Sequence, residues 1–125
     1  MILDNIHKQL LDSLKTGVLL LDSDLRLRYI NMGAEQLLAI SDSKANNQFI
    51  GELLLDAEEE IREIRMALER GISVTRRRAE LHLKHKRSIL VDYTINPYEA
   101  GGDVSALVEL THLNTPSASI RRKFS

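Results

Sequence analysis

The sequence predicts an α+β domain in which helices cover one face of a five-stranded antiparallel sheet. Apolar and polar residues alternate over residues 25–29 and 88–96, which is the pattern of a half-buried strand. Apolar residues recur at helical spacing over residues 2–15 and 57–70. Turn-forming residues separate these segments into the order strand–strand–helix, then helix–strand–strand–strand. This grouping is typical of an antiparallel sheet with helices on one side.

A hairpin and the start of a helix are predicted in the first part of the sheet domain. An apolar run over residues 18–21 is ended by Asp22 and Asp24, which we expect to cap the turn because Asp hydrogen-bonds its own backbone. The alternating segment 25–29 forms the second strand. Asn31 follows it, and an Asn side chain is a favoured helix cap because it accepts from free N–H groups of the first turn.

An amphipathic helix is predicted over residues 2–15, ahead of the sheet. Gly17 is placed to end this helix in a left-handed turn. So short a helix is marginal alone and needs a surface to pack on. Its own sheet and a second copy of the chain are the two candidate surfaces. The apolar face of the helix carries Leu3, Ile6, Leu10 and Leu14.

A second long helix is predicted to begin near residue 56. Asp56 and Glu59 have the spacing of a capping box, and acidic residues crowd the positive N-terminal end of the helix dipole. Gly71 is a natural stop for this helix. Its expected buried stripe consists of Ile61, Ile64 and Leu68.

The second half of the sheet is predicted as a three-stranded antiparallel meander. Pro97 is expected to end the middle strand, because proline lacks a donor for the ladder. The strands are expected at residues 73–83, 88–96 and 104–110. The chain is thereby divided into an N-terminal helix at residues 1–16, a sheet domain at 17–113 and a polar linker or tail at 114–125.

Composition excludes several classes of function. With 125 residues the chain is sized for one domain. Its net charge of −1 creates no field that would attract nucleic acid or an anionic membrane. The absence of cysteine excludes disulfides, thiolate nucleophiles and cysteine-ligated metals. No apolar run approaches the roughly 20 residues that span a bilayer. We therefore expect a cytoplasmic module that binds neither nucleic acid nor membrane.

Two groups of residues suggest sites but have simpler explanations. His82 and His85 lie at a strand end and a basic turn without a neighbouring carboxylate, so we expect exposed histidines and no metal site. A basic hairpin lacks the aromatic residues that nucleic-acid binding uses for stacking, so we expect a solvated strand face or a protein-docking edge. This basic hairpin comprises Arg76, Arg77, Arg78, Lys84, Lys86 and Arg87. Phosphate-binding and nucleophile motifs are missing, and no catalytic or metal-binding residue is predicted.

A ten-residue segment resembles the Y-x-N-x-A-A-x-x-L-L segment of PAS sensor domains. It covers residues 29–38 and reads YINMGAEQLL. The chain most resembles the N-terminal PAS domain of nitrogen-regulation sensor histidine kinases of the NtrB type, over residues 1–113. The resemblance implies a PAS-like fold and a regulatory sensor and dimerisation module of a cytoplasmic two-component kinase. The alternative is a PAS module of another signalling or transcription-regulating protein that binds a small apolar ligand.

The resemblance also implies which groups and partners to expect. Flavin and thiol-linked chromophore sensors of the family need a cysteine, and this chain has none. Haem-binding relatives commonly carry a histidine on the second long helix, and residues 53–71 contain no histidine. We expect no cofactor and a colourless chain. The expected partners are a second copy, with a seam at the apolar face of the N-terminal helix, the downstream kinase domains and a PII-type regulatory protein.

The end of the last predicted strand resembles the acidic–aliphatic–Thr triplet that closes many PAS domains. In this chain the triplet is Glu109, Leu110 and Thr111. The resemblance implies that a signal leaves the domain here, toward the linker. The chain lacks the phospho-accepting histidine hairpin and the ATP-binding boxes of a kinase, so it is expected to be non-catalytic by itself.

Overall fold

A computed structural model describes residues 16–85 and 87–113 of the chain. Its strands are β1 Gly17–Leu21, β2 Leu27–Ile30, β3 Leu54–Leu55, β4 Val74–Leu83, β5 Ser88–Ala100 and β6 Asp103–His112. Its helices are α1 Met32–Leu38, α2 Asp42–Ala45, α3 Ile50–Leu53 and α4 Glu58–Arg70. All strand pairs are antiparallel, in the order β2-β1-β6-β5-β4-β3. The predicted α+β architecture is confirmed.

The strand pattern differs from the prediction in two details. A sixth strand, β3, is only two residues long and pairs with the end of β4. It lies in an apolar run without the alternation that identifies a strand. The second strand begins at Leu27 and not at Leu25, because Leu25 has a φ of +61° and is fully buried beside the turn.

The first turn and the first helix cap agree with the prediction. The Asp22 carboxylate accepts from the backbone N–H groups of Asp24 at 2.9 Å and Arg26 at 3.0 Å, which confirms turn capping by Asp22. The Asn31 side chain accepts from the N–H of Ala34 at 2.9 Å and caps α1. A local hydrogen bond therefore fixes each end of β2.

The start of α4 differs from the predicted capping box. The N-cap is Ala57, no side chain caps the helix, and Asp56 has a φ of +49°. β3 ends at Leu55, so the chain must reverse within two residues before α4 begins. Asp56 supplies that reversal in a left-handed conformation and lacks the extended backbone that an N-cap requires. The predicted stop is confirmed, because Gly71 has a φ of +64° and donates to the carbonyl of Ala67.

Pro97 does not end its strand. β5 continues to Ala100, and Pro97 lies opposite Ala106 of β6. The pairing of β5 with β4 stops at Ile95, opposite Val74. Pro97 therefore lies where β5 has a partner on one side only, and proline is tolerated at such an edge.

The core lies between the helices and one face of the sheet. The strand residues on this inner face are buried, and Leu21 and Ile95 among them are at most 1% exposed. From α4, Ile64 is buried, while Ile61 and Leu68 are partly buried at the margin of the core. The predicted stripe of α4 is thus centred on Ile64.

Some predicted features lie outside the described residues. These are the N-terminal helix with Leu3, Ile6, Leu10 and Leu14, the tail at 114–125, and Lys86 of the basic hairpin. Among the helices that the structure describes, none is long and apolar enough to cross a membrane.

Candidate functional site

A small cavity lies between the helix layer and the inner face of the sheet. Its volume is about 30 Å³, enough for roughly one or two water molecules. Ten of its twelve lining residues are aliphatic, and the other two are Glu60 and Tyr93. α4 supplies Glu60 and Ile64 to this wall. The cavity is therefore apolar except for one carboxyl group and one phenol.

A cluster of polar side chains lies beside this cavity and joins α4 to the sheet. The Arg76 Nη1 atom lies 3.4 Å from a carboxylate oxygen of Glu59, 3.1 Å from one of Glu60 and 3.3 Å from one of Glu63. It also donates to the Tyr93 hydroxyl at 2.9 Å. The Tyr93 hydroxyl in turn donates to Glu63. We call these five residues the Arg76 cluster.

Local geometry explains why these residues meet. Glu59 and Glu63 are one helical turn apart, and Glu60 precedes Ile64 by one turn on the face that packs on the sheet. Arg76 and Tyr93 are directly opposite each other in the β4–β5 pair, so their side chains share a sheet face. The guanidinium carbon of Arg76 lies 5.6 Å from the centre of the Tyr93 ring.

Burial raises the pKa of two titrating groups in the Arg76 cluster. Desolvation raises the pKa of Glu60, and the nearby Arg76 charge opposes part of that rise. Burial, followed by the hydrogen bond to Glu63, raises the pKa of Tyr93. Tyr93 therefore stays protonated and acts as a donor, while Glu60 accepts a proton more readily than an exposed glutamate. The cluster therefore joins helix and sheet through the Arg76 guanidinium and a Tyr93 hydroxyl that acts as a donor.

The arginines of the basic hairpin lie in different surroundings. Arg76 turns toward α4 because its register position faces the core, so the prediction of a solvated face is wrong for this residue. The register of β4 against β5 shifts between Arg76 and Ala79, and Arg78 has a φ of +54°. The N–H of Arg78 donates to Asp92 at 2.8 Å, while the Arg77 and Arg78 side chains are exposed. This bulge lies on the free edge of the sheet, where bulges commonly limit further pairing.

The two histidines are in different surroundings. His85 is exposed, as expected, but His82 is half-buried between neighbouring strands, and its Nδ1 lies 3.1 Å from the Ser88 hydroxyl. The part of the chain that the structure describes contains no group of three or more His, Asp or Glu side chains that could hold a metal ion.

The Glu109–Leu110–Thr111 triplet lies on β6, between β1 and β5. Leu110 is buried, lines the cavity and is paired with Tyr93. Glu109 is exposed on the opposite sheet face, where its carboxylate accepts from the Asn96 amide at 3.2 Å. Thr111 is exposed opposite Asp92. The structure thus brings one predicted exit residue to the cavity and places the other two on the outer face.

The outer face of the sheet also carries buried apolar residues. Val18 and Leu20 are each 4% exposed, although they alternate with Leu19 and Leu21 of the inner core. Leu20 lies opposite Leu107 of β6. Val18 and Leu20 are therefore buried on the outer face of β1, outside the main core cluster.

The Arg76 cluster does not follow from any local pattern in the sequence. The acidic start of α4 is explained there by the helix dipole, and Arg76 is predicted to lie in a solvated patch. One signal does exist in the sequence: Glu60 lies one turn before Ile64 on the same helix face, so its carboxylate is expected to be half-buried. Half-buried carboxylates require a partner, and an arginine on a neighbouring strand can supply it.

Comparison with known proteins identifies the fold. The family described as the PAS fold matches residues 11–115. No curated protein matches the chain in sequence. The PAS domain of nitrogen regulation protein NR(II) from Vibrio parahaemolyticus superposes with a TM-score of 0.75 at 24% identity, covering 88% of this chain and 100% of that one.

Two further solved structures are similar. A PAS domain from a two-component sensor histidine kinase has a TM-score of 0.67 at 13% identity, covering 86% of this chain and 93% of that one. The Drosophila melanogaster Cycle PAS-B domain with bound ethylene glycol has a TM-score of 0.65 at 8% identity, covering 78% and 99%. At these identities the likeness shows a shared fold, which confirms the PAS-like sheet with helices.

Proposed function

The chain belongs to the PAS fold family, and from this premise we propose that it is the regulatory sensor and dimerisation module of a cytoplasmic two-component histidine kinase. We place it in the nitrogen-regulation type and regard it as non-catalytic by itself. The observation that carries the proposal is the triplet on β6, since Leu110 contacts the cavity while Glu109 and Thr111 lie on the outer face. A change of packing at the cavity is thereby transmitted to the strand that leads toward residue 113.

Two similar structures support the kinase assignment. One is the PAS domain of nitrogen regulation protein NR(II), and the other comes from a two-component sensor histidine kinase. In this proposal the domains downstream of the chain perform phosphoryl transfer. A PII-type regulatory protein is the proposed source of the nitrogen signal.

The proposed dimer uses the N-terminal segment. Its seam contains the four apolar residues that recur at helical spacing in the sequence, Leu3, Ile6, Leu10 and Leu14. The proposal rests on that spacing, because Val18 and Leu20 on the outer face of β1 are each only 4% exposed in a single copy and offer a partner little apolar surface.

The kinase assignment is tested by the protein that the full reading frame encodes. Incubated with radiolabelled ATP, this protein should incorporate acid-labile phosphate at a histidine beyond residue 125, and the 125-residue chain alone should incorporate none. A downstream domain of another class, or no phosphohistidine in the full protein, would contradict the assignment while leaving the PAS fold intact.

A second candidate function is binding of a small apolar ligand in a different signalling protein. The observation that favours it is the apolar cavity, and the similar Cycle PAS-B structure holds ethylene glycol. Native mass spectrometry of the freshly purified chain separates the candidates. A stoichiometric small molecule retained under gentle conditions would favour ligand sensing, whereas the bare chain mass would favour the protein-signalled kinase.

A further inference from the structure

We propose that the Arg76 cluster is a latch that holds the N-terminal half of α4 on the sheet and keeps the cavity between them small. The latch consists of one guanidinium from β4, one phenol from β5 and three carboxylates from α4. This inference concerns how the cavity opens and does not depend on which protein carries the domain. It therefore stands apart from the kinase assignment.

The latch has an unequal charge count. Three carboxyl groups, those of Glu59, Glu60 and Glu63, face one guanidinium, and Arg76 is the one cation within 4 Å of them among the described residues. The side chains of Glu60 and Glu63 are only 12% and 17% exposed, so water screens them poorly. Without Arg76, three like charges would face each other beside an apolar cavity. Their repulsion and desolvation would be relieved by movement of α4 away from the sheet.

Two members of the cluster also line the cavity. Glu60 and Ile64 form part of its wall on α4, and Tyr93 forms part of its wall on the sheet. The Tyr93 hydroxyl is tied to Glu63, so the two walls are joined by a hydrogen bond. A cavity of about 30 Å³ admits little more than water. Movement of α4 away from the sheet would widen the cavity, and in this proposal that movement requires the polar contacts of the Arg76 cluster to part.

The absence of cysteine makes opening measurable in the 125-residue chain. Ile64→Cys places a single thiol at the cavity wall on α4, and Ala106→Cys places one in the core on β6, where the parent residue is fully buried. The rate at which a water-soluble aromatic disulfide modifies each thiol at pH 7.5 reports exposure. The thiol at 64 reports opening of α4, and the thiol at 106 reports unfolding of the whole domain.

Removing the cation should open the latch locally. We expect Arg76→Met to raise the modification rate of the thiol at position 64 by about tenfold or more, because it leaves half-buried charges without a partner. The rate at position 106 should change much less. Arg77→Met is the matched control, since the neighbouring Arg77 side chain is exposed, and it should leave both rates unchanged.

Charge balance, and not the bulk of Arg76, is the property under test. Adding Glu60→Gln and Glu63→Gln to Arg76→Met removes the repulsion between the carboxylates. The modification rate at position 64 should then return to within about threefold of the parent rate, because the loss of Arg76 acts through its interaction with these carboxylates. Persistently fast modification would mean that Arg76 acts through packing, and the latch proposal would fail. It would fail equally if Arg76→Met left the rate at position 64 unchanged.

A second variant keeps the test decisive if Arg76→Met unfolds the domain, which fast modification at position 106 would reveal. Arg76→Lys retains one charge but loses the planar fork that reaches several carboxylates. It should raise the rate at position 64 severalfold with position 106 protected. Parent-like rates at both positions would overturn the proposal.

Discussion

At the scale of single residues, Asn31 joins the start of β1 to the start of α1 through one side-chain amide. Its oxygen accepts from the N–H groups of Val18 at 2.8 Å and Ala34 at 2.9 Å, and its nitrogen donates to the Thr16 carbonyl at 2.9 Å. The residue is fully buried. A helix cap predicted from local spacing is therefore also the tie between β1 and α1.

Loss of the Asn31 amide should destabilise the fold substantially. Asn31→Ala leaves buried backbone donors unpaired, and we expect the free energy of unfolding to fall by about 2–4 kcal/mol. Urea denaturation measures the change. Asn46→Ala is the control, because Asn46 is exposed and its replacement should cost less than about 0.5 kcal/mol. Equal losses for both variants would refute a special role for Asn31.

Glu60 should make stability depend on pH in the opposite direction to a typical ion-paired carboxylate. Its pKa is raised in the folded chain, chiefly by burial. The folded state therefore binds more protons than the unfolded state between the usual glutamate pKa and the raised value. Stability falls as pH rises through that window.

Glu60→Gln isolates this contribution. The variant keeps a group that can accept from Arg76 and cannot ionise, so it should be at least as stable as the parent at pH 7 and lose its advantage toward pH 4. Urea denaturation across this range, with the exposed Glu58→Gln as control, measures the difference. An advantage that does not change with pH, or a clear loss of stability at pH 7, would contradict the assignment.

At the scale of elements, the bulge in β4 predicts that glycine substitutions at two adjacent residues change the stability of the fold in opposite directions. Arg78 has a positive φ, which costs an ordinary residue roughly 1–2 kcal/mol that glycine avoids. Arg77→Gly instead loosens a strand position and should cost about 0.5–1 kcal/mol. We expect Arg78→Gly to be neutral or stabilising and Arg77→Gly to be destabilising in thermal melts. The same sign for both would argue against the bulge geometry.

Elements were predictable where one local pattern decides them. Alternation located β2 and the centre of β5, and Asn31 and Gly71 located helix ends, because each depends on only a few neighbouring residues. Asp56 and Pro97 were misinterpreted because their roles depend on what lies across the sheet. The left-handed conformation of Asp56 is required because β3 ends at Leu55, directly before it. Pro97 is tolerated because the pairing of β5 with β4 stops at Ile95.

The candidate site was less predictable than the fold for the same reason. The Arg76 cluster is assembled from α4, β4 and β5, and the contact with Tyr93 depends on a register that is known only once the strands pair. The resemblance to PAS domains indicated Glu109, Leu110 and Thr111, but not that Leu110 lines the cavity. A motif locates residues along the chain. Which cavity or neighbouring element each strand face contacts is known only from the three-dimensional structure.

At the scale of the whole molecule, the proposed dimer predicts a change of mass. Leu10→Asp puts a charge into an apolar contact, which costs about 3 kcal/mol and should weaken dimerisation roughly 100-fold. Gln9→Asp introduces the same charge beside it in sequence and should have little effect. Light scattering at micromolar concentration measures both. A monomeric parent chain at high micromolar concentration would exclude this seam.

In the proposed mechanism, the sheet passes a signal from the cavity to the part of the protein that follows residue 113. The most direct measurement is the autophosphorylation rate of the full reading frame carrying Glu109→Ala and Thr111→Ala, together with thermal melts of the 125-residue chain with the same changes. Both side chains are exposed, so the melts should shift little. Thr75→Ala, another exposed strand threonine, is the control. We expect the autophosphorylation rate to change by about threefold or more, which corresponds to a coupling free energy near 1 kcal/mol between the cavity and the downstream domains. An unchanged rate in a stably folded variant would contradict it.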